Sequence, residues 1–205
     1  MRNMDSLVSS GECTVRSAQV DDLDRLSVID AACFPQGIAY PREYLRRLLC
    51  SPTSVTRVAS IAAVIVGFAI IEVRARGLKV VGELVTIDVL AEARHQGVGQ
   101  LLHASVERAV RHRGGHKIRL QVSVENTAAI QFYEQLGYRT RGRIPRYYLN
   151  TIDAWWKRMT KKKTTSSRNP NRTTKELCRL PRRRGWPHRQ RRAGSGQSSS
   201  LQDCS

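Results

Sequence analysis

Val85-Thr-Ile-Asp-Val-Leu-Ala-Glu-Ala-Arg-His-Gln-Gly-Val-Gly-Gln-Leu-Leu102 is the stretch that decides the fold. An apolar strand leads into a short loop, and two glycines, Gly97 and Gly99, then begin a helix. Glycine lets the backbone approach an anion closely because it has no Cβ. The start of a helix adds free N–H groups and a partial positive charge. The stretch therefore predicts a strand, loop and helix that together hold a pyrophosphate.

Two familiar nucleotide-binding patterns do not fit this loop. The Walker pattern requires Lys and then Ser or Thr after its last glycine, but Gln100 and Leu101 follow Gly99. The Rossmann pattern requires a third glycine where this chain has Leu102. The loop therefore matches neither of these two nucleotide-binding patterns.

Three blocks of sequence resemble the GNAT superfamily of N-acetyltransferases. Arg94-x-x-Gly97-x-Gly99 is similar to the family's acetyl-CoA pyrophosphate loop, Arg/Gln-x-x-Gly-x-Gly/Ala. The second block is Leu120-Gln-Val-Ser-Val-Glu-Asn-Thr-Ala-Ala-Ile-Gln-Phe-Tyr-Glu-Gln-Leu-Gly-Tyr138. The third, Ile144-Pro-Arg-Tyr-Tyr148, followed by Asp153-Ala154, resembles the protein N-terminal acetyltransferases, including the ribosomal-protein-alanine (RimI) type. The resemblance covers roughly Thr14 to Met159.

The resemblance implies a mixed α/β (α+β) fold with a central, mostly antiparallel sheet flanked by helices. Two neighbouring parallel strands splay apart in this fold, and by position they are Glu83–Leu90 and Lys117–Val124. Acetyl-CoA is expected between them. From the residue pattern we predict further strands at Thr14–Arg16, Val55–Ile61, Val64–Val73, Tyr138–Arg143 and Tyr147–Asn150, and helices after Asp22 and at Arg42–Cys50, Gly97–Arg113 and Thr127–Leu136.

The resemblance also implies which residues bind the cofactor. The backbone of Ile87, Asp88 and Val89 is expected to pair with the pantetheine arm. Asn126 is expected to contact the same arm, and it also suits the N-cap of the following helix. The pyrophosphate loop is expected to comprise Arg94, His95, Gln96, Gly97, Val98, Gly99 and Gln100.

The reaction requires a neutral amine to attack a thioester and a thiolate to leave. Tyr133 matches the family's tyrosine that protonates the thiolate, and it follows Asn126 by seven residues, which is two helical turns. A phenol has a pKa of about 10 and can donate to a thiolate. The alternative is that Tyr133 is a core residue packed beside Phe132.

The general base is less directly indicated. Enzymes of the ribosomal-protein-alanine type often have a glutamate where this chain has Gln121, and glutamine cannot accept a proton usefully. Strand alternation predicts that Glu83, Val85 and Ile87 share one face, where Glu83 could act on the amine through water. Glu83 could equally be a solvated charge at the start of a strand.

Tyr147 and Tyr148 are expected to line the acceptor side, although an ordinary strand pair would also explain the two adjacent tyrosines. Phe34 and Tyr40, in the loop between the first two helices, are weaker candidates for the same side. The tyrosine block favours the N-terminal α-amine of a protein, such as a ribosomal protein, as acceptor. One alternative is a small-molecule amine acetyltransferase. Another is a non-catalytic protein of the same fold that binds RNA or the ribosome.

Composition divides the chain of 205 residues into a leader (1–12), an N-acetyltransferase domain (13–160) and a tail (161–205). The tail is rich in Arg, Lys, Ser and Pro and carries most of the net charge of +18, so we predict that it is disordered. The functional alternative is a weak contact of the tail with RNA or the ribosome. The apolar run Val58–Ile71 is shorter than the roughly 20 residues of a spanning helix. The N-terminus has no apolar signal core, so we expect a cytoplasmic protein that does not contact membranes. We also expect a monomer or weak dimer.

No metal site is expected. The five cysteines include no C-x-x-C pair. His112 and His116 have the spacing of one helical turn, but Gly114 and Gly115 lie between them and should end the helix.

Overall fold

The computed structural model describes residues 12–35, 37–77 and 79–160. Nearly all of the predicted leader and the whole of the predicted tail lie outside these residues. The described chain forms β1 (Thr14–Ser17), α1 (Leu23–Cys33), α2 (Arg42–Leu49), β2 (Ser54–Ile61), β3 (Val64–Arg76), β4 (Lys79–Val89), α3 (Val98–His112), β5 (Lys117–Ser123), α4 (Thr127–Gln135), β6 (Arg139–Tyr148) and β7 (Ile152–Thr160).

The strands form one sheet in the order β1-β2-β3-β4-β5-β7-β6. Every neighbouring pair is antiparallel except β4 and β5, which are parallel. The short β1 forms one edge of the sheet, and β6, which contains Pro145, forms the other. The mixed α/β fold predicted from the sequence is confirmed.

The parallel strands β4 and β5 pair over a short distance only. Their ladder extends from Val81 opposite Lys117 to Glu83 opposite Arg119. Beyond that point β4 continues to Val89 and β5 to Ser123 with no further ladder pair between these two described strands. The strands therefore open into the V-shaped cleft that the sequence predicts.

Helices cover the two faces of the sheet and bury separate apolar clusters. On one face, Leu102 and Val106 of α3 belong to a cluster with Ile118 and Leu120 of β5. On the other face, α1 packs against β3 and β4 and α2 packs against β2, and the cluster there contains Leu26, Ile29, Leu45, Phe68 and Ile70. Burying a side chain of this size contributes about 1.5–3 kcal/mol, so the helices hold the walls of the cleft firmly.

A β-bulge in β4 makes one prediction wrong. Ile70 lies opposite Thr86 and Ile71 lies opposite Leu84, so Val85 is the extra residue of the bulge. Val85 packs with the α1–α2 cluster, whereas Ile87 packs with the α3 cluster. The expected common face of Glu83, Val85 and Ile87 is therefore interrupted before Ile87.

The end of the domain also differs from the prediction. The predicted strand Tyr147–Asn150 is wrong, because Leu149 and Asn150 have φ angles of 53° and 57° and form a turn. The chain then reverses into β7, which lies between β5 and β6. The preceding strand is longer than predicted and extends to Tyr148.

Candidate active site

The end of β4 presents backbone groups to the cleft. Leu90 donates its N–H to the carbonyl of Val66 in β3 at 2.9 Å. Because the amide groups of a strand alternate between its two sides, those of Ile87 and Val89 face the cleft and those of Asp88 face β3. The carboxyl of Asp88 is buried and accepts a hydrogen bond from the Thr86 hydroxyl at 2.6 Å.

The carbonyl of Val89 is already occupied by protein donors. It accepts from Nε of Arg94 at 2.9 Å and from Sγ of Cys33 at 3.4 Å. Arg94, the first residue of the predicted pyrophosphate loop, is thus hydrogen-bonded to Val89, the last residue of β4. The groups left for a ligand on this strand are the N–H and C=O of Ile87 and the N–H of Val89.

The loop that follows has the backbone shape expected for a helix start that binds an anion. His95 and Gly97 have positive φ angles of 60° and 82°, and Gly97 is the N-cap of α3. Leu101 donates to the carbonyl of Gly97 at 3.0 Å. The earlier N–H groups, those of Val98, Gly99 and Gln100, have no acceptor within the helix because they lie in its first turn. Glycine suits position 97 because of its φ angle, since a Cβ there would touch nothing within 4 Å.

Gly99 has a second role that the sequence did not reveal. A Cβ at this position would lie 3.1 Å and 3.2 Å from two ring carbons of Phe132 on α4. Such contacts are tighter than ordinary van der Waals distances. The glycine therefore lets α3 begin directly against α4, and its contact with a pyrophosphate stays a prediction.

Asn126 immediately precedes α4 and Tyr133 lies on it, and this helix follows β5, the other wall of the cleft. The side-chain carbonyl of Asn126 accepts from the N–H of Ala129 at 3.0 Å, which confirms the predicted N-cap. Tyr133 is 9% exposed, and its ring lies edge-on to those of Phe132 and Tyr138 at 5.3 Å and 5.5 Å. Tyr133 thus packs in the core, and its role as the acid stays a prediction.

Glu83 is not a solvated charge. It is 9% exposed, and its Oε1 lies 2.6 Å from Nη2 of Arg119 on β5. The pair lies at the closed end of the V, where the β4–β5 ladder ends. Across β3, Glu72 is the register neighbour of Glu83 and pairs with Arg74 at 2.9 Å. The role of Glu83 as a base stays a prediction.

The two segments expected to border the acceptor, the end of β6 and the α1–α2 loop, touch each other. Tyr147 and Tyr148 are 7% and 9% exposed, with ring centroids 4.9 Å apart, and they pack with Ile38 of the α1–α2 loop. The Tyr148 hydroxyl donates to the carbonyl of Gln121 on β5 at 3.3 Å. Phe34, half-buried, caps the C-terminus of α1 at the start of the same loop. Sequence reasoning missed Ile38. Its apolar side chain stands out in a segment that otherwise contains loop-forming residues such as proline and glycine.

Asp153 fixes the backbone beside the tyrosine pair. It accepts from the N–H of Arg146 at 2.7 Å and from Nε of Arg143 at 2.6 Å. Arg146 has a φ angle of 50°, which a non-glycine residue rarely adopts. The Arg146 N–H and the nearby guanidinium groups lower the pKa of the Asp153 carboxyl. This carboxylate therefore holds the irregular part of β6 that immediately precedes Tyr147.

The described residues contain neither a metal-ligand cluster nor a membrane-spanning helix. No group of three or more His, Cys, Asp and Glu side chains in the described ranges is arranged to hold a metal ion. No helix in the same part of the chain is long and apolar enough to cross a membrane.

The profile of the acetyltransferase (GNAT) family matches residues 23–138, which is more than half of the chain. The chain therefore belongs to the GNAT family, a class of acetyl-CoA-dependent acetyltransferases, and the resemblance seen in the sequence is confirmed. The matched range includes β4, the loop from Arg94 to Gln100, and α4 with Tyr133.

The chain is similar in sequence to enzymes that are named N-alpha-acetyltransferases. An N-alpha-acetyltransferase of Sulfurisphaera tokodaii is 28% identical over 153 residues, covering 70% of this chain and 90% of that protein. N-alpha-acetyltransferase 30 of Schizosaccharomyces pombe is 38% identical over 81 residues, 39% of this chain, and the match spans only 53% of that enzyme. The crystal structure of the Escherichia coli ribosomal-protein-S18-alanine N-acetyltransferase aligns with a TM-score of 0.63 at 22% identity, covering 79% of this chain and 99% of that one.

Proposed function

We propose that this chain transfers the acetyl group of acetyl-CoA to the α-amine at the N-terminus of a protein. The observation that carries the proposal is the contact between the Tyr147–Tyr148 pair and Ile38 of the α1–α2 loop. The end of β6 and the α1–α2 loop meet beside β5. Ala154 of β7 packs with the tyrosine pair, whereas the adjacent Trp155 packs with α3 and α4, so the pair lies on the opposite face of the sheet. An aromatic wall of this kind suits contact with the end of an extended peptide. The relatives named as N-alpha-acetyltransferases support the same acceptor.

In this proposal acetyl-CoA enters the cleft from the face of the sheet that α3 and α4 cover. The first-turn N–H groups of α3 bind the pyrophosphate, and the helix dipole adds to the attraction. The pantetheine arm lies along β4 and accepts and donates hydrogen bonds at Ile87 and Val89. Asn126 contacts the arm where α4 begins. The thioester then lies near the point at which β4 and β5 separate.

The acceptor amine needs only a weak general base to become neutral before it attacks the thioester. An α-amino group has a pKa of about 7.7–8.0, so a useful fraction is neutral at pH 7. Its lone pair attacks the thioester carbonyl, the C–S bond breaks, and the Tyr133 phenol gives its proton to the departing sulfur. The proton released by the amine passes to water, which Glu83 assists as a carboxylate held by Arg119. A lysine side chain, with a pKa of about 10.4, would be a poorer acceptor.

The proposal is tested with the purified chain, acetyl-CoA and matched synthetic peptides. One peptide has a free α-amine and no lysine, a second has a blocked N-terminus and one lysine, and spermidine represents small amines. We expect mass spectrometry to find acetylation on the first peptide in clear preference to the other two. Acetylation of spermidine alone would favour a small-molecule acetyltransferase. Failure of acetyl-CoA to bind in isothermal titration would favour a non-catalytic protein.

The acid is tested by Tyr133→Phe, which keeps the ring and removes the proton. We expect kcat to fall by about 100-fold while the affinity for acetyl-CoA is unchanged. Gln131→Ala, an exposed substitution on the same helix, is the matched control. Wild-type kcat in Tyr133→Phe would exclude this phenol as the proton donor.

The ribosomal acceptor and the RNA contact of the tail are finer proposals. A ribosomal protein is suggested by the S18-alanine enzyme that shares the fold. A peptide panel that varies the first two residues, including the N-terminus of ribosomal protein S18, tests this choice. Equal rates on all sequences would argue against a ribosomal specialisation.

A further inference from the structure

Three buried polar side chains form a chain behind Tyr133. Tyr138 is 0% exposed, His103 is 2% exposed and Glu107 is 8% exposed. His103 and Glu107 lie one turn apart on α3, and Tyr138 follows the C-terminal end of α4. Burying a polar group is unfavourable unless it is hydrogen-bonded. A phenylalanine at position 138 would fill the same core without this requirement.

A neighbouring carboxylate favours one direction for the hydrogen bond between His103 and Tyr138. Nε2 of His103 lies 3.0 Å from the Tyr138 hydroxyl, and Nδ1 lies 4.0 Å from Oε2 of Glu107. The carboxylate favours the tautomer with its proton on Nδ1, so Nε2 accepts the hydrogen bond from Tyr138. Arg111 completes the chain at the surface by donating to Oε1 of Glu107 at 2.6 Å.

Tyr138 in turn contacts the proposed acid. The rings of Tyr133 and Tyr138 meet edge-on at 5.5 Å with an interplanar angle of 66°. The hydrogen bond to His103 fixes the far end of the Tyr138 ring, so the surface against which Tyr133 packs cannot rotate freely. Tyr138 is fully buried and does not reach the substrate, which means that any effect on the reaction must pass through Tyr133.

We infer that His103 and Tyr138 are positioning residues that hold Tyr133 in its reactive orientation. This inference rests on the proposed role of Tyr133 as the proton donor. Reaction rates depend steeply on such alignment, and a displacement of about 1 Å can lower a rate by about 100-fold. Burial, with smaller contributions from Tyr133 and Glu107, raises the pKa of Tyr138. The hydroxyl therefore keeps its proton for His103.

The central experiment compares Tyr138→Phe in two backgrounds. In the wild-type background we expect kcat to fall between about fivefold and 100-fold, with the KM for acetyl-CoA within about twofold. In the Tyr133→Phe background we expect Tyr138→Phe to change kcat by less than about twofold, because the group that it positions is already absent. An equal loss of kcat in both backgrounds would overturn the inference.

Substitution of His103 supplies an independent test if Tyr138→Phe folds poorly. His103→Leu should lower kcat in the same way, and His103→Gln, whose amide oxygen can accept from the Tyr138 hydroxyl, should restore most of it. Val110→Ala is the matched control, since Val110 is a buried residue of α3 outside this chain of contacts. An equal loss of kcat in Val110→Ala at a similar loss of melting temperature would indicate general loosening and overturn the inference.

The outcomes separate this inference from the proposed function. If Tyr133→Phe loses activity but Tyr138→Phe and His103→Leu keep wild-type kcat, the positioning role is wrong and the acid assignment stands. If Tyr133→Phe is fully active, the acid assignment and the positioning role both fail. Acetylation of the peptide α-amine, read by mass spectrometry, is decided independently of either result.

Discussion

Lys157 and Glu134 form an ion pair whose two halves are expected to respond very differently to mutation. Nζ of Lys157 lies 2.7 Å from Oε1 of Glu134 and 3.1 Å from Oγ1 of Thr140. The side chain of Lys157 is 1% exposed, whereas that of Glu134 is 51% exposed. The pair joins β7 to α4, the helix that contains Tyr133.

The asymmetry of exposure sets the expected magnitudes. Glu134→Ala leaves a buried ammonium with only the Thr140 hydroxyl, and breaking a fully buried pair in this way costs about 3–5 kcal/mol. Because water already reaches Glu134, we expect a smaller loss, about 2 kcal/mol in the free energy of unfolding. Lys157→Met removes the buried charge, keeps the volume and leaves Glu134 solvated, so it should change stability by less than about 1 kcal/mol.

Urea unfolding measures both variants. The midpoint should fall clearly for Glu134→Ala and little for Lys157→Met, with the slope of the transition unchanged. Gln131→Ala, an exposed substitution on the same helix, is the matched control. A loss in Lys157→Met as large as that in Glu134→Ala would refute the reasoning, because it would mean that the amine itself stabilises the fold.

Four further predictions follow from the site and the ends of the domain. Gly99→Val should lower acetyl-CoA affinity at least about tenfold in isothermal titration, and unchanged affinity in a folded variant would contradict the placement of the pyrophosphate. Glu83→Gln should slow the reaction most at low pH, where the amine is harder to deprotonate; wild-type rates at every pH would mean that the base lies elsewhere. Asp153 has a lowered pKa in the folded state, so its carboxylate stabilises the fold at neutral pH and this contribution is lost as the pH falls below the ordinary value of 3.8. The melting temperatures of Asp153→Asn and wild type should therefore differ at pH 7 and converge in acid, and a constant difference would exclude the charge as the cause. Truncation after Thr160 should leave kcat and melting temperature unchanged on a short peptide, and if the tail contacts RNA it should also abolish salt-sensitive RNA binding; a large fall in melting temperature would place the tail within the fold.

The parts of the site that depend on local requirements were predictable from sequence. Gly97 adopts a left-handed φ at the N-cap of α3, and Asn126 caps α4, and both needs are met within a few residues of the chain. The parallel, splayed arrangement of β4 and β5 was also predicted, because the family resemblance places the two blocks on adjacent strands.

Features that depend on distant partners were not predictable. The bulge at Val85 arises from the register between β3 and β4, which alternation along one strand does not reveal. In β7, Lys157 is buried because Glu134 lies across from it, so the strand does not show a simple apolar pattern. His103 was not singled out at all, since its hydrogen-bond partner is 35 residues further along the chain. The turn between β2 and β3 was also not predictable, because Ala62 has a φ angle of 48° there although the turn contains neither glycine nor asparagine.

The outer edge of the sheet has a consequence for how copies of the protein behave in concentrated solution. An open strand edge offers unpaired backbone groups to which another chain can add, and this is a common start of aggregation. Here β6 has exposed arginines at positions 139, 141 and 143 and an exposed proline at position 145, which has no N–H to donate. Mutual repulsion and the missing donor both disfavour strand addition. The opposite edge, β1, is only four residues long, so neither side of the sheet is a good template for fibril growth.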